Sequence, residues 1–306
     1  MLQLLIGTNL PFMRYRRVAY AFSSALVLAT VVWLVVHGGP KYSLDFTGGT
    51  LLQIRLARVV PADQVRQAFD AAGFRGIELQ QLAGENRDEF MIRVRQGEDT
   101  GDLFPRAKTA IQARFPGLGI ELRRTEAVGP KVGKELRQKA FWAVMGSLAG
   151  ILLYVGIRYE FKFALGAVAA LFHDVFVTLG VLCFTGREVS LTVVAALLTI
   201  AGYSINDTIV VFDRIRERSR ALRREKHSRV MDIAVNETLS RTIITAFTVF
   251  LTALALLIWG GEVLRDFSFA MVVGVVFGTY SSVYVASALA LDIWIGLDRR
   301  KGIQAE

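Results

Sequence analysis

Apolar positions along the chain fall into six long runs and one region of a different period. Residues 18–36, 140–157, 163–185, 189–212, 242–259 and 267–291 are almost wholly apolar. A helix needs roughly 20 such residues to cross a hydrocarbon layer of about 30 Å, so the pattern predicts six transmembrane helices. The first run follows Arg14, Arg16 and Arg17 as a secretory leader would. It is too long for the roughly 7 to 15 apolar residues of a leader, and Val35, Val36, His37 and Gly38 make a poor cleavage site. We read it as a retained span.

Between residues 38 and 139 the period changes to alternation, with Leu52, Ile54 and Leu56 set against Leu51, Gln53 and Arg55, which predicts a half-buried strand. A helix over 61–72, strands over 77–82 and 89–95, a helix over 102–115 and a strand over 120–127 follow, with turn glycines at Gly73, Gly84 and Gly117. The order β-α-β-β-α-β is ferredoxin-like. The prediction is therefore an α-helical membrane protein, a six-transmembrane-helix bundle with an inserted ferredoxin-like α+β domain.

Composition sharpens this reading. A chain of 306 residues that is 53% hydrophobic, with mean hydropathy +0.42, excludes a wholly soluble enzyme. Cys183 is the one cysteine, which rules out an intrachain disulfide and thiolate metal clusters. The net charge of +9 would suggest nucleic acid if it were spread over one fold. It concentrates instead at span ends: Arg14, Arg16 and Arg17; the turn 158–162; nine Lys and Arg against five acids in 213–241; and Arg299, Arg300 and Lys301. The opposite turns, 186–188 and 260–266, carry little positive charge. Because basic residues are retained on the cytoplasmic side, both termini are expected in the cytoplasm and the inserted domain on the far side. The expected organisation is 1–37 (tail and first span), 38–139 (translocated domain), 140–212 (spans two to four), 213–241 (basic cytoplasmic segment) and 242–306 (last two spans and tail). Residues 214–229 read as a surface helix attracted to anionic lipid, and no nucleic-acid reader module is visible.

An ionised side chain at mid-membrane costs about 2.5 to 3.5 kcal/mol on insertion scales, so each one marks a candidate site. Asp174, beside His173, is predicted about 16 Å deep at 1.5 Å per residue. The stretch Gly202-Tyr203-Ser204-Ile205-Asn206-Asp207-Thr208 places Tyr203, Asn206 and Asp207 at helical i, i+3 and i+4 spacing, on one face. Asp207 is either helix glue or a titratable group. An amide or a serine would serve as glue at lower desolvation cost, which favours the second reading. Arg241, opening the fifth span, is the natural cation to pair with it, or else an interfacial anchor. Neighbouring helical residues point about 100° apart, so of His173 and Asp174 we expect Asp174 to face the site. Asp292 is expected at the interface in a structural role. Gly146 with Gly150 and Gly274 with Gly278 predict closely packed spans. In the translocated domain no Ser/His/Asp set appears, and an enzyme is not expected. Asp45-Phe46-Thr47-Gly48-Gly49 is either a tight turn or a hinge, and Gly129-Pro130 reads as a second flexible joint.

Asp45-Phe46-Thr47-Gly48-Gly49, Val128-Gly129-Pro130, His173-Asp174 and above all the string Gly202 to Glu217 resemble the SecD/SecF family of protein-export membrane proteins, within the RND superfamily. The single six-span half resembles the separate SecF members rather than the fused SecDF form. The resemblance implies an RND-like bundle in the bacterial inner membrane, working with SecD to promote export of preproteins through SecYEG after SecA has acted, often with YajC and YidC. It implies use of the proton-motive force, with protons as coupling ion and no other cofactor. Asp207 and Arg241 match the family's proton-path carboxylate and arginine, and Asp174 its third-span aspartate. The competing expectation is an RND-type, proton-coupled exporter of small molecules or lipids.

Overall fold

The computed structural model describes residues 8–74, 77–82, 88–94 and 103–300. The expected turn at Gly84, the ends of the predicted strand and helix at Arg95 and Asp102, and Lys301 lie outside them. Residues 42–141 form one compact unit and the rest of the chain another.

The smaller unit begins with a single helical turn, α1 of the domain in sequence order and hereafter α2 (Leu44–Thr47), since the first span, α1 (Arg16–His37), precedes it. Then come β1 (Gly49–Leu56), α3 (Ala62–Ala71), β2 (Ile77–Gln81), β3 (Glu89–Val94), α4 (Leu103–Arg114) and β4 (Ile120–Val128). Strand order is β2-β3-β1-β4, every neighbouring pair antiparallel, which is the ferredoxin-like sheet. The alternation of β1 is realised as expected: Leu52, Ile54 and Leu56 are fully buried and meet Phe69 of α3 and Ile111 of α4 in one core. Each such side chain contributes about 1.5 to 3 kcal/mol on burial. The other sheet face is polar. There Gln53 is opposite Arg124 while Ile54 is opposite Leu122, so Arg123 is the extra residue of a β-bulge. The Arg55 Nε lies 2.6 Å from Asp88 Oδ2, and this guanidinium holds the Asp88 carboxyl below the usual carboxylate range.

The larger unit contains α1 and α5 (Pro130–Arg158), which enters it from the smaller unit, then α6 (Phe161–Phe184), α7 (Leu191–Ala221), α8 (His227–Trp259) and α9 (Gly261–Ser281). A π-helical turn, Ser282–Ser287, joins α9 to α10 (Ala288–Arg300). Six stretches are long and apolar enough to cross a membrane, with α9, the π turn and α10 supplying the last. Two helices outrun their apolar runs. α7 continues past Phe212 to Ala221 and α8 starts at His227, so much of the basic segment 213–241 is helix. The polar extensions are laced together where Glu237 receives Arg214 Nε at 2.7 Å and Arg218 at 2.5 Å. Hydrophobicity had marked the membrane, whereas the helices run on through these ion pairs.

Close packing is uneven. Gly180 faces Thr30 and Gly274 faces Ile200, each so near that an added Cβ would collide. Gly146 and Gly150 of α5 have open space around them, and Trp142, Leu153 and Ile157 on that helix are exposed. The expected tight contact therefore exists at Gly274, is an ordinary contact at Gly278, and is absent among the described residues at Gly146 and Gly150. The amino-terminal segment is held by contacts that no periodicity revealed. Met13 N donates to Asp232 Oδ1 at 2.9 Å, and Leu10 and Asn236 exchange two hydrogen bonds at 3.0 and 2.9 Å. Asp292 is structural as expected, accepting from Arg16 Nε at 3.0 Å and Tyr20 Oη at 2.9 Å.

Candidate functional site

Four helices of the larger unit bring polar side chains to one buried region. Asp174 of α6 is completely inaccessible. Its Oδ2 accepts from Ser204 Oγ of α7 at 2.5 Å and from Ser281 Oγ of α9 at 2.7 Å, while Oδ1 lies 2.9 Å from His173 Nδ1. Asp207 of α7 is also buried. It accepts at Oδ1 from Thr242 Oγ1 of α8 at 2.6 Å and at Oδ2 from Ser282 Oγ, in the π turn, at 2.7 Å. Gly278 of α9 lies beside this pair: an added Cβ there would stand at ordinary contact distance, 3.7 Å from Asp174 Oδ2 and 3.4 Å from Ser204 Cβ. π-helical turns replace the i→i−4 ladder with i→i−5 bonds, and here Ser287 Oγ also donates to the carbonyl of Ser282 at 2.8 Å.

Both carboxylates are thus held mainly by hydroxyls. A serine or threonine hydroxyl can donate to a carboxylate and can equally accept from a carboxylic acid. The same neighbours therefore satisfy either protonation state, which a cation in direct contact would not do. Among the described residues no group of His, Cys, Asp and Glu is arranged to hold a metal ion.

The expected residues are only partly assembled. Asp174 and Asp207 are central. Arg241 is exposed and makes no ion pair with Asp207 among the described residues, while the next residue on the helix, Thr242, makes the contact. Asn206 is exposed too, since the 100° step between successive helical residues turns it away when Asp207 faces inward. Tyr203 is half-buried beside Thr245 and Thr279. His173 and Asp174 both point inward, against expectation, because the imidazole folds back along its own helix to reach the carboxylate. Thr242, Ser281 and Ser282 were not foreseen, and Ser204 only as a member of the stretch Gly202 to Thr208. The available signal was the Gly278, Ser281, Ser282 spacing within an otherwise apolar span.

In the smaller unit the two expected joints are packed together. Ser43 caps the single turn α2, its Oγ accepting from Asp45 N at 3.3 Å, and Phe46 is buried. Gly48 and Gly49 have φ of +71° and +129°, and an added Cβ at Gly49 would lie 2.5 Å from the Val94 carbonyl oxygen. Only glycine meets both demands. Gly129 is the single residue between β4 and α5, and Pro130 opens the helix, where its fixed φ and missing N–H are suited. Gly133, in the first turn, comes so near that its Cβ would be 3.1 Å from Gly48 N. At the stretch expected to be a second flexible joint, a single residue links strand and helix, and the first helical turn packs on the Asp45-Phe46-Thr47-Gly48-Gly49 turn.

Comparison with known proteins gives concordant results. Residues 108–295 match the family described as protein export membrane protein SecD/SecF, C-terminal, and residues 33–57 match the SecD/SecF GG motif. A Vibrio alginolyticus protein translocase subunit SecF is 43% identical over 94% of this chain and 90% of its own length. The Escherichia coli O157:H7 protein of the same name is 40% identical over 96% of this chain and 90% of its own. The crystal structure of SecDF, a translocon-associated membrane protein from Thermus thermophilus, superposes with a TM-score of 0.84 at 37% identity over 95% of this chain. SecDF in its super-membrane-facing form gives 0.73 at 36% identity over 97%. This chain spans 39% and 40% of the length of those two solved chains.

Proposed function

The chain belongs to the SecD/SecF family of protein-export membrane proteins, is a multi-pass membrane protein, and on that premise we propose that it couples proton movement to preprotein export. Asp207 and Asp174 are the groups that load and release the proton. The single observation that carries this reading is the hydroxyl-only shell of Asp207. Thr242 and Ser282 approach at 2.6 and 2.7 Å and tolerate either protonation state.

When Asp207 gains a proton, its negative charge disappears and one of the two hydroxyls must turn from donor to acceptor. The contacts that α8 and the π turn make with α7 change together. A proton crossing 100 mV releases about 2.3 kcal/mol, enough to bias a two-state element roughly fifty-fold. We place that bistable element in the α7, α8 and π-turn contacts, and the load in residues 42–141, which α1 and α5 flank in the chain. Protons are the coupling ion in this reading, and no other cofactor takes part.

The partner is a SecD-type subunit, acting with the SecYEG channel and, on the family's pattern, YajC and YidC. The exposed Asn206 of α7 and Arg241 of α8 support a protein partner there, because lipid would leave an amide and a guanidinium unsatisfied. We place the termini and the basic segment 213–241 on the cytoplasmic side of the bacterial inner membrane and residues 42–141 on the other side, in keeping with the distribution of basic residues.

The test is Asp207→Asn in cells or vesicles with the partner subunits present. The proton-driven component of export is expected to fall at least tenfold while ATP-driven export persists. Normal proton-driven export by that variant would refute the reading.

A further inference from the structure

Thr242 and Ser282 both hold one carboxylate, Asp207, yet they stand on different elements, and α8 and the π turn touch little directly. Toward the amino-terminal end of α8, the segment that precedes α1 lies between them. From the α8 side it is gripped through its backbone. The Asn236 amide donates to the Leu10 carbonyl at 2.9 Å and accepts from Leu10 N at 3.0 Å. Asp232 accepts from Met13 N at 2.9 Å, where a 3-10 turn, Phe12–Tyr15, begins, and Arg229 donates to Asn9 Oδ1 at 3.0 Å. Positions 229, 232 and 236 fall on one helical face, so a single face of α8 makes the whole grip.

From the other side the grip is apolar. Phe12 and Met13 are buried in one core with Val235 of α8 and with Val283 and Val285 of the π turn. The Phe12 ring meets the Tyr284 ring edge-on at 5.8 Å, and Tyr284 is two residues from Ser282. On α8, Asn236 is six residues from Thr242, about 9 Å along a continuous helix. The segment therefore bridges the two elements whose hydroxyls meet at Asp207. α8 has a second tie at its first residue, where His227 Nε2 lies 2.8 Å from Asp298 Oδ2 and the imidazole stacks on Trp294. That tie reaches α10 and not the π turn.

We infer that residues 10–13 are a strap that sets the spacing of α8 and the π turn, with Phe12 and Asn236 as positioning residues for the Thr242–Asp207–Ser282 shell. The inference rests on the reading that Asp207 takes up and releases a proton. Neither positioning residue is bonded to Asp207, and the strap acts through distance alone. When it slackens, one of the two hydroxyls moves out of hydrogen-bonding reach, and the remaining one no longer satisfies the ionised and protonated forms alike. The charged and titratable groups about the strap are Asp232 and Arg229 of α8 and Arg16 of α1, whose Nη1 donates to the Met13 carbonyl at 3.1 Å. Those about Asp207 are Tyr203 on its own helix and Arg241 on α8.

The test is the pH profile of proton-driven export by the full chain in vesicles with the partner subunits, at constant membrane potential. Such a profile reports the ionisation of the working groups, which a lower amount of folded protein does not move. Phe12→Ala and Asn236→Leu are each expected to reduce the rate at neutral pH about threefold and to move the midpoint of the profile by about half a unit. Asp298→Asn, which loosens only the tie to α10, is expected to keep the wild-type midpoint. If the first two variants fail to reach the membrane, the milder Phe12→Leu carries the test, with a smaller shift in the same direction for every preparation. A wild-type midpoint in the strap variants, with rates lowered only in proportion to protein level, overturns the inference and leaves the segment an anchor. An equal shift in Asp298→Asn overturns it as well, since any slackening of α8 would then suffice. Either result beside loss of proton-driven export in Asp207→Asn leaves the proposed function standing. Normal proton-driven export by Asp207→Asn removes that function, and the role of the strap with it.

Discussion

Ser281 and Ser282 are consecutive residues, yet the hydroxyl of the first donates to Asp174 of α6 at 2.7 Å and that of the second to Asp207 of α7 at 2.7 Å. Two carboxylates on two helices are thereby tied to one point of the last span, where the α-helical ladder gives way to a π turn. A change in protonation at either carboxylate is felt at the same stretch of backbone, which is the physical basis for coupling the two.

This coupling predicts non-additive mutants. Ser281→Ala and Ser282→Ala each remove one hydroxyl from a buried carboxylate, a loss of about 1 to 3 kcal/mol. Each single variant is expected to reduce proton-driven export several-fold. The double variant is expected to lose less than the sum of the two free-energy losses, because the shared turn is already released by the first. A double-mutant cycle on export rates measures this, and strict additivity would show that the two carboxylates work independently.

Thr242 and Arg241 are predicted to behave differently although they are neighbours. Thr242→Val keeps the shape but removes the 2.6 Å hydroxyl from Asp207 Oδ1, and at least a tenfold loss of proton-driven export is expected. Arg241 makes no direct contact with Asp207 among the described residues, so Arg241→Lys, which keeps the charge, is expected to retain at least half of the activity, whereas Arg241→Gln is not. Equal damage from Arg241→Lys and Arg241→Gln would mean that the guanidinium makes a specific contact during the cycle.

The contrast between these two positions also marks how far the sequence could be read. Six spans and the β-α-β-β-α-β order were legible because their periods, 3.6 and 2, are imposed by burial. Asp174 and Asp207 were legible because a carboxylate in an apolar run is costly. What encloses them was not: whether Arg241 or Thr242 faces Asp207 depends on a 100° rotation of α8, set by packing against α7 and α9. The Met13 to Asp232 tie is separated by 219 positions in the chain and leaves no periodic trace. The continuity of β4 with α5 was missed because Gly and Pro, read as loop formers, here occupy the one-residue junction and the first helical position.

Gly49→Ala is predicted to destabilise residues 42–141. Its Cβ would enter a carbonyl oxygen at 2.5 Å, and φ is +129°, so strain and collision add. A loss of about 2 to 4 kcal/mol is expected. Gly133→Ala, with its nearest contact at 3.1 Å, should cost less. Limited proteolysis of the full-length protein, following cleavage within 42–141 as temperature rises, gives the order of the two variants; equal resistance to wild type in Gly49→Ala would contradict the close approach.

The Arg55 and Asp88 pair sets a pH window for the same unit. Because the carboxyl is held below its ordinary value of 3.8 by the guanidinium, its contribution is present above that value and is lost as pH falls through the lowered one. Resistance to proteolysis should therefore be flat in this respect from pH 7 to 5 and fall in more acid solution. Asp88→Asn is expected to be slightly less resistant at pH 7 and to show a shallower acid decline; an unchanged acid decline would assign the effect to other carboxyls.

Asn206 gives the last prediction. It is exposed on α7 at a depth set by its neighbour Asp207, and an amide facing lipid would hold unsatisfied polar atoms at a cost of several kcal/mol. If lipid were its surroundings, Asn206→Leu would be neutral or stabilising. If a partner helix packs on this face of α7, the same change leaves the chain folded but removes an interhelical hydrogen bond of about 0.6 to 2 kcal/mol and adds bulk beside Gly202. Asn206→Leu is accordingly expected to reach the membrane at wild-type level and to co-purify with the SecD-type subunit at a several-fold lower yield. Undiminished co-purification, with a raised melting temperature, would assign this face to lipid and move the partner to another surface, for which the exposed α5 is the next candidate.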